Sequence, residues 1–345
     1  MFGQERATNV SIDGENFRIN DRLTYEGRSW DGHSIEGLLF NARLVHACFD
    51  DDNPDTVTNW AYPDTGQWDA ERNVGEFLAA MPTWYDHGMR AIATNLQCGS
   101  PEGYSSEQPW IVSAYNADGT LKPGWLDRLR RVLDRADDLG MAVILGLFYF
   151  GQDGGLDDED AVIRAADNAV EWLLEHEYTN VVIEIANECD INYDHAILDQ
   201  DRIAELIQRV KDHSRDGHGY AVGTSFSGGV VPPDDVVDVS DLVLLHGNGV
   251  EDPDRIREMV AEVRDLPSYE PMPIVFNEDD HFCFGSDCNM AAAIESGASW
   301  GYFDPGENDY WHGYQSPPVR WDPNTARKRA FFGYLDGVTS REDSG

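Results

Sequence analysis

Val181-Val182-Ile183-Glu184-Ile185-Ala186-Asn187-Glu188 is the stretch whose reading decides the fold. Four β-branched residues and an alanine run almost unbroken, with one glutamate among them, and the run ends abruptly on Asn187-Glu188. A half-buried strand would alternate apolar and polar residues. A near-continuous run marks a strand covered on both faces, as in a parallel sheet. Working outward, comparable runs occupy residues 37–45, 89–96, 142–150, 220–225, 242–245, 273–276 and 298–303, giving eight candidate strands with 181–186. Amphipathic segments with helical spacing lie between them, at residues 124–139, 160–176, 203–210, 255–263, 289–295 and 325–335. In the first of these, Leu126, Leu129, Val132, Leu133 and Ala136 form one stripe that stops at Gly140, a natural helix C-cap. Strand and helix in alternation imply a parallel α/β sheet. Eight strands, with no glycine-rich phosphate loop after the first, favour a closed (β/α)₈ TIM barrel over an open doubly wound sheet. No linker, repeat or low-complexity segment interrupts the chain, so residues 1–345 read as one domain: an N-terminal extension at 1–35 and the barrel at 36–338. Residues 16–20 and 23–28 flank an Asn-Asp turn and predict a short N-terminal β-hairpin.

The composition bounds the function classes. Acidic residues outnumber basic ones 64 to 25, for a net charge of −39, and they are spread along the chain. Nucleic acid and anionic membranes both need a basic footprint and are excluded as partners on this reading. Only three lysines occur (Lys122, Lys211, Lys328) against 22 arginines, a surface chemistry that fits a salt-rich cell interior. Molar salt shortens the screening length to about 3 Å and suppresses self-repulsion. No stretch reaches the ~20 apolar residues of a membrane helix, and residues 1–20 lack the basic and apolar regions of a signal peptide. A cytoplasmic location is expected. Five cysteines without a C-x-x-C pair predict buried thiols and no structural zinc, with a local Cys283–Cys288 disulfide as the alternative. No metal or cofactor motif is found, and oligomeric state is not legible.

Chemistry concentrates at the C-terminal ends of the strands, where barrel active sites are assembled. The fourth strand runs into Asn187-Glu188, and the seventh, Pro273-Ile274-Val275-Phe276, runs into Asn277-Glu278-Asp279-Asp280-His281. Both glutamates should stand at the barrel mouth. Two carboxyl groups so placed suit glycoside cleavage, one protonating the leaving oxygen and one facing the anomeric carbon. Three long segments leave the same rim: residues 49–69 with Trp60, Tyr62 and Trp68; 98–119 with Tyr104, Trp110 and Tyr115; and 304–322 with Tyr310, Trp311, Tyr314 and Trp321. They suggest aromatic platforms for sugar rings, against the plainer reading that these side chains pack the loops down.

An Asn-Glu closing strand four, with a second Glu closing strand seven, resembles the clan A glycoside hydrolases, the cellulase-like (β/α)₈ enzymes, over about residues 37–335. The resemblance implies Glu188 as general acid/base, Glu278 as nucleophile and Asn187 on the hydroxyl beside the anomeric carbon. It also implies Trp300 as the floor of the sugar site and His246 as the strand-six histidine. The chain departs from that pattern in three places. Asn248 stands where many members have a tyrosine, Phe148-Tyr149-Phe150 lacks a strand-three histidine, and Ala93-Thr94-Asn95-Leu96-Gln97 lacks the usual strand-two arginine. Arg43, ending strand one, is the candidate substitute cation beside Glu278. Asn95, Tyr149, Asp280 and His281 are further mouth candidates. The expected function is a retaining O-glycoside hydrolase acting on an oligo- or polysaccharide, in a divergent branch of the superfamily. The alternatives are a catalytically silent carbohydrate-binding barrel and a metal-dependent hydrolase built on Asp279, Asp280, His281 and His246. Glu184, inside strand four, faces either a helix or the barrel interior.

Overall fold

The computed structural model describes residues 6–103, 108–283 and 285–340. Tyr104, one of the loop aromatics, lies outside the described residues. Eight parallel strands form the barrel: β6 (Asn41–Ala42), β7 (Ala91–Asn95), β8 (Ala142–Tyr149), β9 (Val181–Asn187), β10 (Ala221–Gly223), β11 (Val243–His246), β12 (Ile274–Asp279) and β13 (Ser299–Tyr302). Hydrogen-bonded ladders join them as β7–β8–β9–β10 and β11–β12–β13–β6. A parallel bridge between Arg43 and Ala93 connects β6 to β7. The Asp241 N–H donates to the Val222 carbonyl at the β10–β11 junction, and the barrel closes. Strand one is shorter than its apolar run: only Asn41–Ala42 ladders, and the Asn41 amide donates to the nearby Leu39 carbonyl.

Side-chain parity divides the strands cleanly. Leu39, Ala93, Ile144, Val182, Leu244 and Val275 point inward and form a small interior cluster. Their neighbours Phe40, Ile92, Val143, Ile183, Leu245 and Phe276 point outward into the larger core beneath the helices. That two-sided burial is the reason the strands read as unbroken apolar runs.

The N-terminal segment forms a three-stranded antiparallel meander, β1 (Val10–Asp13), β2 (Asn16–Ile19) and β3 (Arg22–Leu23), followed by the small hairpin β4 (Ser29–Trp30) and β5 (His33–Ser34). The hairpin expected at 16–20 and 23–28 supplies two of the three strands of the meander, the second of them only Arg22–Leu23, and the first strand was not anticipated. Phe17 plugs the barrel bottom against Leu39, Ala91, Ala142 and Val182, and the small residues of that layer leave it room.

The predicted helices appear as α2 (Pro123–Leu139), α3 (Glu159–Glu175), α4 (Ile203–Lys211), α6 (Pro253–Arg264), α7 (Asn289–Glu295) and α8 (Ala326–Thr339). Gly140 ends α2 at φ +77°, the left-handed conformation anticipated for it. Two more were not foreseen: α1 (Ala70–Asp86), which carries Pro82 internally, and the short α5 (Asp234–Val239). Helix α1 buries Val74, Phe77, Met81 and Trp84 along one stripe.

The interior above the plug is polar. A Cβ placed on Gly301 would lie 2.3 Å from Asn41 Oδ1 and 2.8 Å from the Phe276 carbonyl oxygen. The barrel wall has no room for a methyl group there, and the backbone contact cannot yield cheaply. Gly301→Ala is expected to lower stability by about 1–3 kcal/mol, the usual cost of overpacking, read from the urea midpoint in molar potassium chloride. An unchanged midpoint would show that the wall yields.

Candidate active site

Glu188 ends β9 with its backbone at φ +52°, a left-handed conformation uncommon for residues other than glycine. The turn is held from the next strand: Ser225 Oγ accepts the Glu188 N–H at 3.0 Å, and the Ser225 carbonyl accepts the Cys189 N–H. Glu278 reaches the mouth by a different device. Along β11 the pairing steps from Leu245↔Phe276 to His246↔Glu278, and along β13 from Phe276↔Trp300 to Asp279↔Tyr302. Strand β12 thus carries one extra residue against both neighbours, a bulge at Asn277-Glu278 that re-aims the side chains beyond it. Asn277 turns inward and donates to Glu184 Oε1 at 3.1 Å. Glu184 accordingly faces the barrel interior.

The two glutamates meet around His246 and Arg43. His246 Nδ1 lies 3.0 Å from Glu188 Oε1 and 3.8 Å from Glu278 Oε2. Carboxylate oxygens of the two glutamates and an imidazole nitrogen all fall within 4.8 Å of one another. Arg43 Nε sits 2.5 Å from Glu278 Oε2, yet neither atom has a hydrogen-bond partner of good geometry among the described residues, so this contact is an ion pair. Asn248 Nδ2 donates to the other oxygen, Glu278 Oε1, at 2.6 Å. Arg43 and Asn248 therefore hold Glu278 from two sides, where the sequence left a missing tyrosine and arginine. Tyr149 and Phe303 flank the guanidinium, with ring centroids 5.7 and 5.5 Å from it.

Electrostatics separates the groups. Burial pushes the Glu278 carboxyl up and Glu188 adds repulsion, with Arg43, His246 and the Asn248 hydrogen bond pulling the other way. Glu188 is also buried, but its hydrogen bond to His246 and the charges of His246 and Arg43 bring it below the ordinary glutamate value. Burial opposes the charge on His246, and Glu278 and Glu188 together raise it above its usual 6.5. These directions favour the proton on His246 over Glu188, and Arg43 is the counter-charge beside Glu278.

The other predicted residues divide. Tyr149 lies beside Arg43, its hydroxyl pushed up by burial. Asn95 is in the interior, filling the space over Gly146, and neither its Oδ1 nor its Nδ2 has a hydrogen-bond partner among the described residues. Asn187 is buried in register with Tyr149, and its carbonyl accepts the Tyr193 hydroxyl at 2.6 Å. Asp280 reaches the wall of a cavity of about 890 Å³ that also exposes Glu188, Asn248 and Phe150. His281 is bound to Asp280 through Nδ1 at 2.6 Å.

Trp300 is not at the sugar-facing floor. It is 1% exposed, packs against Phe282 and Phe331, and donates from Nε1 to Asp279 Oδ2 at 2.8 Å. The cause is parity: Ser299 and Gly301 face inward, so Trp300 between them faces α8. Phe303, two residues beyond Gly301, is the aromatic that comes to the site. It was missed, although counting by twos from Ser299 leads to it.

The loop aromatics follow the plainer reading. Trp60 donates to buried Asp51, Tyr62 stacks on Trp68, and Tyr314 stacks on Trp321. Trp311, at 47% exposure, is the exception. All five cysteines are free thiols.

Among the described residues three groups have metal-ligand spacing: Glu188–His246–Glu278, Asp279–Asp280–His281 and the surface group Glu307–Asp309–His312. In the first, Arg43 already occupies Glu278 and repels a cation. In the second, Asp279 is engaged by Trp300 and Asn289 on the outer wall.

No family model matches the chain, and no curated protein matches it. Solved structures do. A β-mannanase from the blue mussel Mytilus edulis superposes with a TM-score of 0.56 at 12% identity, covering 98% of each chain. The GH5-4 broad specificity endoglucanase of Bacteroides salanitronis gives 0.54 at 14%, over 88% of this chain and 93% of its own. A putative glycoside hydrolase of Bacteroides vulgatus ATCC 8482 gives 0.53 at 14%, and this chain spans 60% of its length. The fold is that of the family 5 glycoside hydrolase barrels. At these identities the likeness is one of fold, and the chemistry rests on the residues themselves.

Asp279 generates a pH prediction. Burial drives its carboxyl up to about 7 against hydrogen bonds from the His281 N–H, Trp300 and Asn289. A carboxyl raised on folding contributes stability that is complete below its unfolded value near 3.8 and is lost as pH rises through about 7. Asp279→Asn should flatten this fall, which can reach about 1.4 kcal/mol per pH unit. Urea unfolding across that window at constant salt measures it, and a variant keeping the wild-type slope contradicts the assignment.

Proposed function

We propose that this protein is a retaining O-glycoside hydrolase acting on an oligo- or polysaccharide, with Glu278 as nucleophile and Glu188 as general acid/base. The observation that carries this reading is the contrast between two carboxylates with oxygens within 4.8 Å of each other. One is held by a permanent cation and an amide, the other by a titratable imidazole. Retaining enzymes place their carboxyl groups about 5–5.5 Å apart, and inverting ones leave ~6.5–9.5 Å for a water. The short separation supports double displacement.

In the first step a Glu278 oxygen attacks the anomeric carbon, the glycosidic C–O bond breaks, and the leaving oxygen takes a proton from Glu188. That proton is supplied across the 3.0 Å contact with His246. In the second step water attacks the same carbon, its proton passes to Glu188, and the ester bond to Glu278 breaks. Arg43 and Asn248 orient Glu278 and stabilise its charge when the sugar departs. The acid-heavy, lysine-poor composition supports a cytoplasm of high salt as the setting.

One observation favours a second reading, a barrel that binds carbohydrate without cleaving it. The resting directions, Glu188 lowered and Glu278 raised, are the reverse of what the first step needs. Substrate must therefore draw the proton back to Glu188.

Glu278→Ala and Glu188→Gln are each expected to reduce kcat/KM on oligosaccharides, whose leaving group needs protonation, at least ~10³-fold. Binding of reaction product by calorimetry should change little. Full turnover in either variant excludes the assignment; wild-type binding without any turnover favours the silent barrel. Asn248→Ala should lower kcat about 10–100-fold, because it removes one of two groups orienting the nucleophile. A change confined to KM would assign Asn248 to substrate binding instead.

A further inference from the structure

The cavity is lopsided. Its described lining comes from loops after β7 to β12: Gln108, Phe150, Glu188, Asn192, Gly228 and Asp280 among them. Among the described residues, the loops after β6 and β13 contribute nothing to it. They close over the mouth instead. His46, with no exposed surface, hydrogen-bonds the Gly99 carbonyl at 3.3 Å, and Gln315 Nε2 donates to the Ser100 carbonyl. Ser100 and Gln315 are 2% and 4% exposed. These contacts tie the loops after β6, β7 and β13 together. Lys328 braces the last of them, donating from Nζ to the Arg320 carbonyl at 2.6 Å with the Tyr314 ring 4.1 Å away. Tyr149 and Phe303, each 2% exposed, complete the wall on the Arg43 side of Glu278.

This asymmetry has a meaning if Glu188 and Glu278 act as proposed above, and the inference rests on that reading. The leaving group must lie on the side of the acid, and the sugar being transferred must extend from the anomeric carbon away from it. The open cavity lies on the Glu188 side, where Phe150, stacked on Tyr149 at 4.3 Å, offers an apolar face. The other side of Glu278 holds Arg43 and Phe303, 4% and 2% exposed. We infer that the site is blind-ended: it accepts one terminal sugar over Glu278, holds the rest of the saccharide as leaving group along Phe150, and removes residues singly from the non-reducing end.

The test is covalent labelling of wild-type protein in molar potassium chloride. 2-Deoxy-2-fluoro-β-glucosyl and β-mannosyl fluorides are compared with their β-1,4-linked disaccharide counterparts, the 2-fluoro cellobiosyl and mannobiosyl fluorides. In each case a Glu278 oxygen bonds to C1, the C1–F bond breaks, and fluoride leaves with the electron pair. Intact mass and peptide mapping read the adduct. The expected result is one fluoro-monosaccharide on Glu278, with either disaccharide reagent reacting at least 100-fold more slowly. Equal or faster labelling by a disaccharide overturns the blind end. It would show that the chain continues past the wall, for instance into the hollow lined by Asp304, Gly306 and Arg327, whose lining shares only Asp280 with the main cavity. No adduct on Glu278 from any reagent overturns the nucleophile assignment itself, and the inference with it.

Discussion

A guanidinium buried at the centre of the barrel mouth is the constraint on which the site depends. Arg43 is 4% exposed. An ion moved from water to such a place loses several kcal/mol of hydration even after the surroundings relax, and only close, well-placed counter-charge offsets the loss. Glu278 supplies that charge at 2.5 Å, with Glu184 and Glu188 contributing at longer range. The dependence is mutual. Glu278 is buried as deeply, and without Arg43 it would have to take up a proton or find another partner. The pair opposes the burial that raises one carboxylate, and His246 governs the other.

The local backbone is bent to make this pairing possible. In a regular strand, Asn277 and Glu278 would point to opposite faces, and only one could enter the mouth. The extra residue in β12 lets Asn277 bind Glu184 in the interior while Glu278 meets Arg43 and Asn248. Glu188 uses a left-handed turn to the same end. Both departures from ideal geometry fall on the two carboxylates and their immediate neighbours. Strained backbone and bulges concentrate at functional sites because the surrounding structure must hold them in place.

Which parts of this were legible follows from what a sequence encodes locally. The eight strands were readable because burial on both faces leaves apolar runs. The two glutamates were readable because each is the first acidic residue after such a run ends in asparagine. Arg43 was reachable by the same position rule. Trp300 was misjudged because position at a strand end does not give the direction of the side chain, and a one-residue shift in parity moves it to the outer wall. Phe303 carries no signal beyond that parity. Helix α1 was hidden by Pro82 and Gly75 inside an otherwise good stripe. The fate of the loop aromatics depended on which rings meet, as in Tyr62 with Trp68 and Tyr314 with Trp321. That is a matter of tertiary packing, absent from spacing alone.

Under the proposed double displacement, a proton favoured on His246 has to reach the leaving group through Glu188. His246 Nδ1 and Glu188 Oε1 are 3.0 Å apart, so transfer along that contact needs no rearrangement, only a change in relative affinity. On that proposal two things would raise the affinity of Glu188 when a sugar enters. Water is displaced from the cavity side of the carboxylate, which strengthens the burial effect that already pushes it up. In the proposed first step Glu278 would lose its negative charge to the new ester bond, removing the largest charge interaction that raises His246. That loss favours proton transfer to Glu188 as the bond to Glu278 forms. Glu278 and Glu188 are thereby coupled through one imidazole at the end of β11, 3.0 Å from one and 3.8 Å from the other.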